Sequence, residues 1–219
     1  RQSEVQIVNL EYLYRRVPFV HDSDGTLVIR NHSGSHRGTF TTSGRATGDL
    51  FIENVGPHAT VHVTNGIRAW LRAVNREKSR FTNDGATVWF YGDNIETMVR
   101  KHGPRHRSHR VEPVETINGG VTEYLAGCLD PLWARHRMED GPLFLTVDAT
   151  LFANGAGLVR KRGGDEGNWP FVAKSTIAGK ETRLLSNDVL YLDAGPTSWP
   201  KRMVLPMYRV DPADPASQE

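Results

Sequence analysis

Four acidic residues are the main candidates for catalysis in this sequence, because they flank one basic stretch in the middle of the chain. They are Asp93, Glu96, Glu115 and Glu123. Two carboxyl groups can hydrolyse a glycosidic bond when they lie about 5–5.5 Å apart for retention, or about 6.5–9.5 Å apart for inversion, of configuration. Neighbouring β-strands, or alternate residues of one strand, supply both distances. The sequence does not show which two face each other, and a solvated or hydrogen-bonded surface acid explains each one singly.

The basic stretch between these acids is RKHGPRHRSHR, residues 100–110, which contains Lys, Arg and His but no acid. Clustered positive charge raises the local concentration of anions, so Arg100 and its neighbours could dock an acidic polysaccharide. A solvated loop explains the same composition. His102, His106 and His109 are weak candidates for metal ligands, because loop spacing fixes no coordination geometry and no carboxylate or thiolate accompanies them. We therefore expect neither a metal nor another cofactor.

A repeat of aromatic residues marks the strands that would position these acidic and basic residues. Three aromatic residues follow one another at intervals of 19 residues, and each stands between apolar neighbours as a half-buried strand requires. Two similar segments downstream and one upstream extend the column. The predicted column consists of Val28, Phe51, Trp70, Trp89, Tyr124 and Phe144.

Glycine corners keep the same register as the aromatic residues. Gly66, Gly85 and Gly120 each stand four residues before their aromatic residue. A hairpin would reverse direction, whereas the same corner before the same strand position is typical of successive coils of a solenoid. The sequence therefore predicts an all-β fold, a parallel β-helix of 19 to 23 residues per coil with one long inserted loop at the basic stretch.

Strand alternation directs the aromatic column outward. Phe51, Trp70 and Trp89 would then form a stripe of flat apolar faces along one side of the coils. Such a stripe could stack on sugar rings, which makes these residues candidates for substrate binding. A loop, a preceding segment or a neighbouring subunit could equally cover it.

A second outward column runs beside the aromatic one and joins Arg30, Glu53, Arg72 and Tyr91. Its alternating charges predict a cross-strand ladder that stabilises each pair by about 0.2–1 kcal/mol. Arg72 and Tyr91 are further candidates for substrate binding, and a purely structural ladder explains the column as well.

The composition argues against several classes of protein. Lys and Arg number 27 against 25 for Asp and Glu, a balance that does not favour a nucleic-acid binder. Cys128 is the single cysteine, so the chain forms no internal disulfide. No apolar stretch approaches the roughly 18 residues that a membrane-spanning helix needs. Nothing resembles a phosphate-binding loop, a nucleophile elbow or a zinc-protease motif.

The repeat also predicts how the chain is divided. We expect residues 1–158 to form coils that continue from an upstream part, 159–210 to form terminal strands and loops that cap them, and 211–219 to form a disordered tail. Since the end of a solenoid exposes unpaired strand edges, we expect an upstream β-helix segment or a second copy of the chain to cover the first coil.

The run IRAWLRAVNREKSRFTNDGATVWFYGDNIE, followed by VETINGGVTEYLAG, resembles the C-terminal coils of right-handed parallel β-helix proteins in the pectate-lyase-like superfamily. It is especially similar to the β-1,3-glucanase-type double β-helix glycoside hydrolases. The positions that carry the resemblance are Trp70, Arg72, Asn75, Glu77, Asn83, Asp84, Gly85, Trp89, Gly92, Glu96, Glu115, Thr116, Gly119, Gly120, Thr122, Glu123 and Gly127.

The resemblance implies right-handed coils and a carbohydrate-active protein, a glycoside hydrolase or its C-terminal part that acts on an extracellular or cell-wall polysaccharide. One of Glu96, Glu115 and Glu123 would protonate the leaving oxygen, and another carboxylate would act as base or nucleophile. A polysaccharide lyase of the same fold would instead use Arg72 or Arg100 to neutralise a uronate. A tailspike, adhesin or structural module is the non-enzymatic alternative. The resemblance also implies an extracellular or periplasmic location.

Overall fold

A computed structural model describes the chain in segments that cover most of its length. These are residues 4–8, 11–12, 17–34, 38–56, 60–64, 66–77, 81–96, 114–130, 142–159, 171–185, 190–192 and 202–214. Every regular element in these segments is a β-strand, so the described fold is all-β, as the sequence predicts. The described part of the chain contains no helix of the length and apolarity needed to cross a membrane.

The strands are short and follow one another closely. In chain order they are β1 (Glu4–Val8), β2 (Glu11–Tyr12), β3 (Val17–His21), β4 (Thr26–Gly34), β5 (Gly38–Thr42), β6 (Leu50–Val55), β7 (Thr60–Thr64), β8 (Arg68–Arg72), β9 (Asn75–Glu77), β10 (Phe81–Asp84), β11 (Thr87–Tyr91), β12 (Asn94–Glu96), β13 (Val114–Ile117), β14 (Val121–Leu125), β15 (Cys128–Asp130), β16 (Phe144–Val147), β17 (Thr150–Val159), β18 (Phe171–Ile177), β19 (Lys180–Leu185), β20 (Leu190–Leu192) and β21 (Arg202–Val210).

Two long sheets hold these strands. The first follows the order β1-β4-β6-β8-β11-β14-β17 and continues from β17 into the short strands β15-β12-β9. The second follows the order β19-β18-β16-β13-β10-β7-β5-β3. From β3 to β8 the chain alternates between the second and the first sheet, so each pass adds one strand to both. After β8, β11 and β14 the chain adds a short strand, β9, β12 and β15 respectively, and β12 pairs with both of the others.

Parallel pairing dominates both sheets, because each strand pairs with its counterpart in the next pass. The antiparallel pairs are β18 with β19, β17 with β21 and β20 with β21, all toward the C-terminal end. Residues 211–214 of the predicted disordered tail are described and form a turn, in which Asp211 Oδ1 accepts the backbone N–H of Ala213 at 2.9 Å. Residues 215–219 lie outside the described segments.

The predicted register is confirmed up to the basic stretch and wrong beyond it. Phe51 pairs with Trp70, and Trp70 with Trp89. The next members of that column are Glu123 and Phe152, not Tyr124 and Phe144. Tyr124 pairs with Phe90 and is buried, and Phe144 belongs to the second sheet. A shift of one residue moves a side chain to the opposite face of a strand, so the corrected register replaces a buried tyrosine by an outward acid.

Left-handed corner residues mark each pass of the chain. One residue with φ between 50° and 66° stands three positions after each member of the outward column. These residues are Asn31, Asn54, Ala73, Gly92, Ala126 and Gly155. The corner before the strand is also left-handed at Gly66, Gly85 and Gly119, so the third glycine is Gly119 and not the predicted Gly120.

The interior between the two sheets is mainly apolar. Ile52, Leu71 and Phe90 of the first sheet point inward as predicted and are fully buried. Phe81 of the second sheet meets Phe90 edge to face, with ring centroids 4.3 Å apart. Within this apolar interior the second sheet also buries polar residues, among them Asn83, whose side chain bonds to the corner residue Ala86 and to β14 of the first sheet. Hydrogen bonding offsets the cost of burying that amide.

Candidate active site

Three acidic residues occupy one register position on the three short strands β9, β12 and β15. Glu96 pairs with Glu77 on one side and with Asp130 on the other. Adjacent parallel strands lie about 4.8 Å apart, so consecutive acids of this acidic column have closely spaced backbones. Of the four predicted catalytic acids, Glu96 is the one that acquires acidic neighbours at its own register position.

The acidic column follows from the same repeat that positions the aromatic residues. Glu77, Glu96 and Asp130 each stand seven residues after a member of the outward column, namely Trp70, Trp89 and Glu123. A left-handed residue ends the preceding strand in each pass and turns the chain into the short strand that carries the acid. Glu77 and Asp130 were not among the catalytic residues predicted from the sequence, although this constant offset is the signal that could have identified them.

The aromatic stripe exists, but neighbouring rings in it cover one another's faces. Phe51 stacks on Trp70 with centroids 4.6 Å apart and planes 6° from parallel, and Trp70 stacks on Trp89 at 4.9 Å and 15°. The rings therefore present their edges to the outside, and the expected stripe of flat faces is wrong in this respect. The cause is the strand spacing, which is close to the distance at which aromatic rings stack.

The second outward column has the predicted register. Arg30 pairs with Glu53, Glu53 with Arg72, and Arg72 with Tyr91. Arg30 Nε lies 2.7 Å from Glu53 Oε2, which confirms the charge ladder at that step. Tyr91 is 58% exposed, so it offers more of its surface to a ligand than the half-buried stacked residues do.

Asp93, another predicted catalytic acid, lies inside the corner of its pass. Its side chain is only 1% exposed, and its Oδ1 accepts the backbone N–H of Val74 at 2.9 Å. The two residues occupy equivalent positions in successive passes, so this carboxylate ties one corner to the next. Tyr124 adds a hydroxyl bond of 3.3 Å to the Asp93 carbonyl.

Glu115 and Glu123 lie on different sheets. Glu115 belongs to β13 of the second sheet, is 9% exposed and accepts the hydroxyl of Thr82 at 3.0 Å. Glu123 belongs to β14 of the first sheet and follows Trp89 in the outward column. Between them, the inward-facing Thr116 and Thr122 bond to each other at 2.8 Å. Glu115 and Glu123 therefore flank the interior instead of facing each other.

Among the described residues, hydrogen bonds lower the pKa of carboxyl groups away from the aromatic and charge columns. A hydrogen bond from Ser43, followed by one from Arg45, lowers the pKa of Asp22. The backbone N–H of Ala213 lowers the pKa of Asp211. Among the described residues, no group of three or more His, Cys, Asp or Glu side chains could hold a metal ion. Arg100 and the rest of the basic stretch lie outside the described segments.

No protein-family model, no curated protein and no solved structure matches this chain. The fold and the register define its class as an all-β protein built on long parallel sheets, with a stacked aromatic column on its first sheet and an acidic column on the short strands beside it.

Proposed function

We propose that this chain winds as a right-handed parallel β-helix of the pectate-lyase-like kind and acts as a glycoside hydrolase, or its C-terminal part, on an extracellular or cell-wall polysaccharide. Support for the winding comes from the alternation of strands between the sheets and from the left-handed corner that recurs in each pass. An in-register parallel ladder is the pairing expected of stacked coils.

The acidic column carries the proposal of hydrolysis. Glu96 lies between Glu77 and Asp130 on adjacent strands, whose backbones lie about 4.8 Å apart. That backbone spacing is compatible with the carboxyl separation of about 5–5.5 Å in retaining enzymes. Two carboxyl groups that share such a site do not both ionise readily, so one keeps a proton for the leaving oxygen while its neighbour attacks as nucleophile. We assign Glu96 to this pair because it adjoins both other acids.

Hydrolysis accounts for the acidic column better than elimination by a lyase. A uronate substrate is anionic, and a row of carboxylates would repel it. On the three described short strands, the register position of Glu96 contains no basic residue that could neutralise a uronate. Arg72 lies in a different column, on the first sheet.

A non-enzymatic glycan-binding or structural module is the second candidate, and the aromatic stack favours it. Rings that cover one another at 4.6 Å and 4.9 Å stabilise the sheet whether or not a ligand binds. In that case the acids would be surface groups without a catalytic partner.

The deciding experiment measures release of reducing ends from a panel of neutral β-glucans. A parallel assay on uronate-containing polysaccharides follows absorbance at about 235 nm for the unsaturated uronate that a lyase produces. Glu96→Gln should lower kcat by about 10²- to 10⁴-fold. Glu53→Gln is the matched control, since it removes a carboxylate from the first sheet but outside the acidic column. Full activity in Glu96→Gln refutes the assignment of this acid, and absence of reducing-end release by the wild-type protein on every substrate favours the non-enzymatic module.

A further inference from the structure

Glu123 interrupts the aromatic column in an unusual setting. It pairs with Trp89 on one side and with Phe152 on the other, and all three side chains are half-buried. Trp70 covers only one face of Trp89, which leaves the other face on the side of Glu123. The column therefore places a carboxylate between two aromatic rings on adjacent strands.

The other outward neighbours of Glu123 are uncharged. At the adjacent register positions of β11, β14 and β17 they are Thr87, Tyr91, Val121, Leu125, Thr150 and Asn154. The nearest basic residue along the column is Arg209, which pairs with Phe152 and is held by Asp211 at 2.8 Å. Two neighbouring acids have cations of their own, since Asp49, which directly precedes β6, forms an ion pair with Arg68 at 2.8 Å, and Glu53 of β6 forms one with Arg30 at 2.7 Å. Among the described residues, no cation adjoins the register position of Glu123.

A carboxylate flanked by aromatic rings is suited to an organic cation. The rings attract positive charge through their π-faces, and the carboxylate adds a charge-assisted hydrogen bond. We infer that Trp89, Glu123 and Phe152 form a receptor for the protonated amino group of an amino sugar, so that the polysaccharide bound here contains free amines. That the ligand is part of a polysaccharide rests on the proposed function. The acidic column in the same passes would attract the same positively charged sugar.

The test compares two oligosaccharides of equal length and linkage, the tetramer of glucosamine and the tetramer of N-acetylglucosamine. Binding is measured by calorimetry on the full chain with Glu96→Gln, so that hydrolysis cannot consume the ligand. The glucosamine tetramer should bind about tenfold more tightly, a ratio consistent with one partly desolvated cation on an aromatic face. The indole N–H resonance of Trp89, identified by its loss in Trp89→Phe, should shift on binding.

Adding Glu123→Gln should abolish the preference for the amine, whereas adding Glu53→Gln should preserve it. If Glu123→Gln fails to fold, Phe152→Leu supplies a second variant, and this change should reduce the preference for the amine. Equal binding of both tetramers, or a preference that survives Glu123→Gln, overturns the receptor. Because binding is measured without turnover, a failure to hydrolyse β-glucans leaves this result intact, and hydrolysis without any preference for the amine refutes the receptor alone.

Discussion

Replacing Asn83 by alanine should destabilise the fold strongly, because this amide joins both sheets from inside. Asn83 is fully buried, and its Oδ1 accepts the backbone N–H of Ala86 at 2.9 Å. Its Nδ2 lies 2.9 Å from both the carbonyl of Val121 and the hydroxyl of Thr122. The side chain thereby connects the corner of one pass to the first-sheet strand of the next.

The magnitude follows from these bonds. Alanine leaves the buried N–H of Ala86 without its acceptor, which costs about 1–3 kcal/mol. Nδ2 also donates to the carbonyl of Ala86 at 3.1 Å, and loss of the bonds made by its two N–H groups adds about 0.5–1.5 kcal/mol for each group. The acceptor Thr122 keeps another partner, since it also receives the hydroxyl of Thr116 at 2.8 Å, so it adds little further cost. We expect Asn83→Ala to lower the free energy of unfolding by about 2–6 kcal/mol.

Guanidinium denaturation, followed by tryptophan fluorescence and far-UV circular dichroism, measures this change. Asn154→Ala is the matched control, because Asn154 lies on the first sheet with its side chain exposed. That control should change stability by no more than about 0.5 kcal/mol. The reasoning is refuted if Asn83→Ala costs less than about 1 kcal/mol, or no more than the control.

Three further predictions concern the corners and the terminal strands. Asp93→Ala should cost about 1–3 kcal/mol in denaturation, because the buried N–H of Val74 loses its acceptor; an unchanged midpoint contradicts this. Ala73→Gly should stabilise the protein by up to about 1 kcal/mol, since Ala73 has a φ of 50°; destabilisation contradicts it. Burial raises the pKa of Tyr208, so the neutral hydroxyl contributes to the free energy of unfolding in full below about pH 10, and this contribution is lost as pH rises further. As pH rises above 10, the Tyr208→Phe variant should therefore lose less stability than the wild-type protein does, and an equal loss in both proteins contradicts this.

The constant interval of the aromatic residues was enough to predict the first part of the fold. Phe51, Trp70 and Trp89 lie in successive passes of equal length, so residue type and register agree there. After the basic stretch the pass is longer, and aromatic type became a misleading marker because Tyr124 adjoins the true position of Glu123. The left-handed corner, three residues after the column in each pass, keeps the register across the insertion.

The candidate site was less accessible from the sequence. Glu96 could be identified as a candidate, but its partners could not. Which residues of adjacent strands pair depends on the number of residues in each corner, and the sequence did not give that number. The orientation of the aromatic rings was also beyond reach, since spacing predicts which side of a strand a ring occupies and not which of its surfaces a neighbour covers. Strand spacing decides that question in favour of stacking.

The register of the acidic column can be tested with the chain's own cysteine. Cys128 pairs with Asn94 in the same ladder that pairs Asp130 with Glu96. A spacing of about 4.8 Å between their backbones is within the range that a disulfide bridges. Under mild oxidation, Asn94→Cys should therefore form an intramolecular disulfide with Cys128, detected by mass spectrometry as a linked peptide, while Ile95→Cys should not. A disulfide in Ile95→Cys and none in Asn94→Cys would shift the ladder by one residue and separate Glu96 from Asp130.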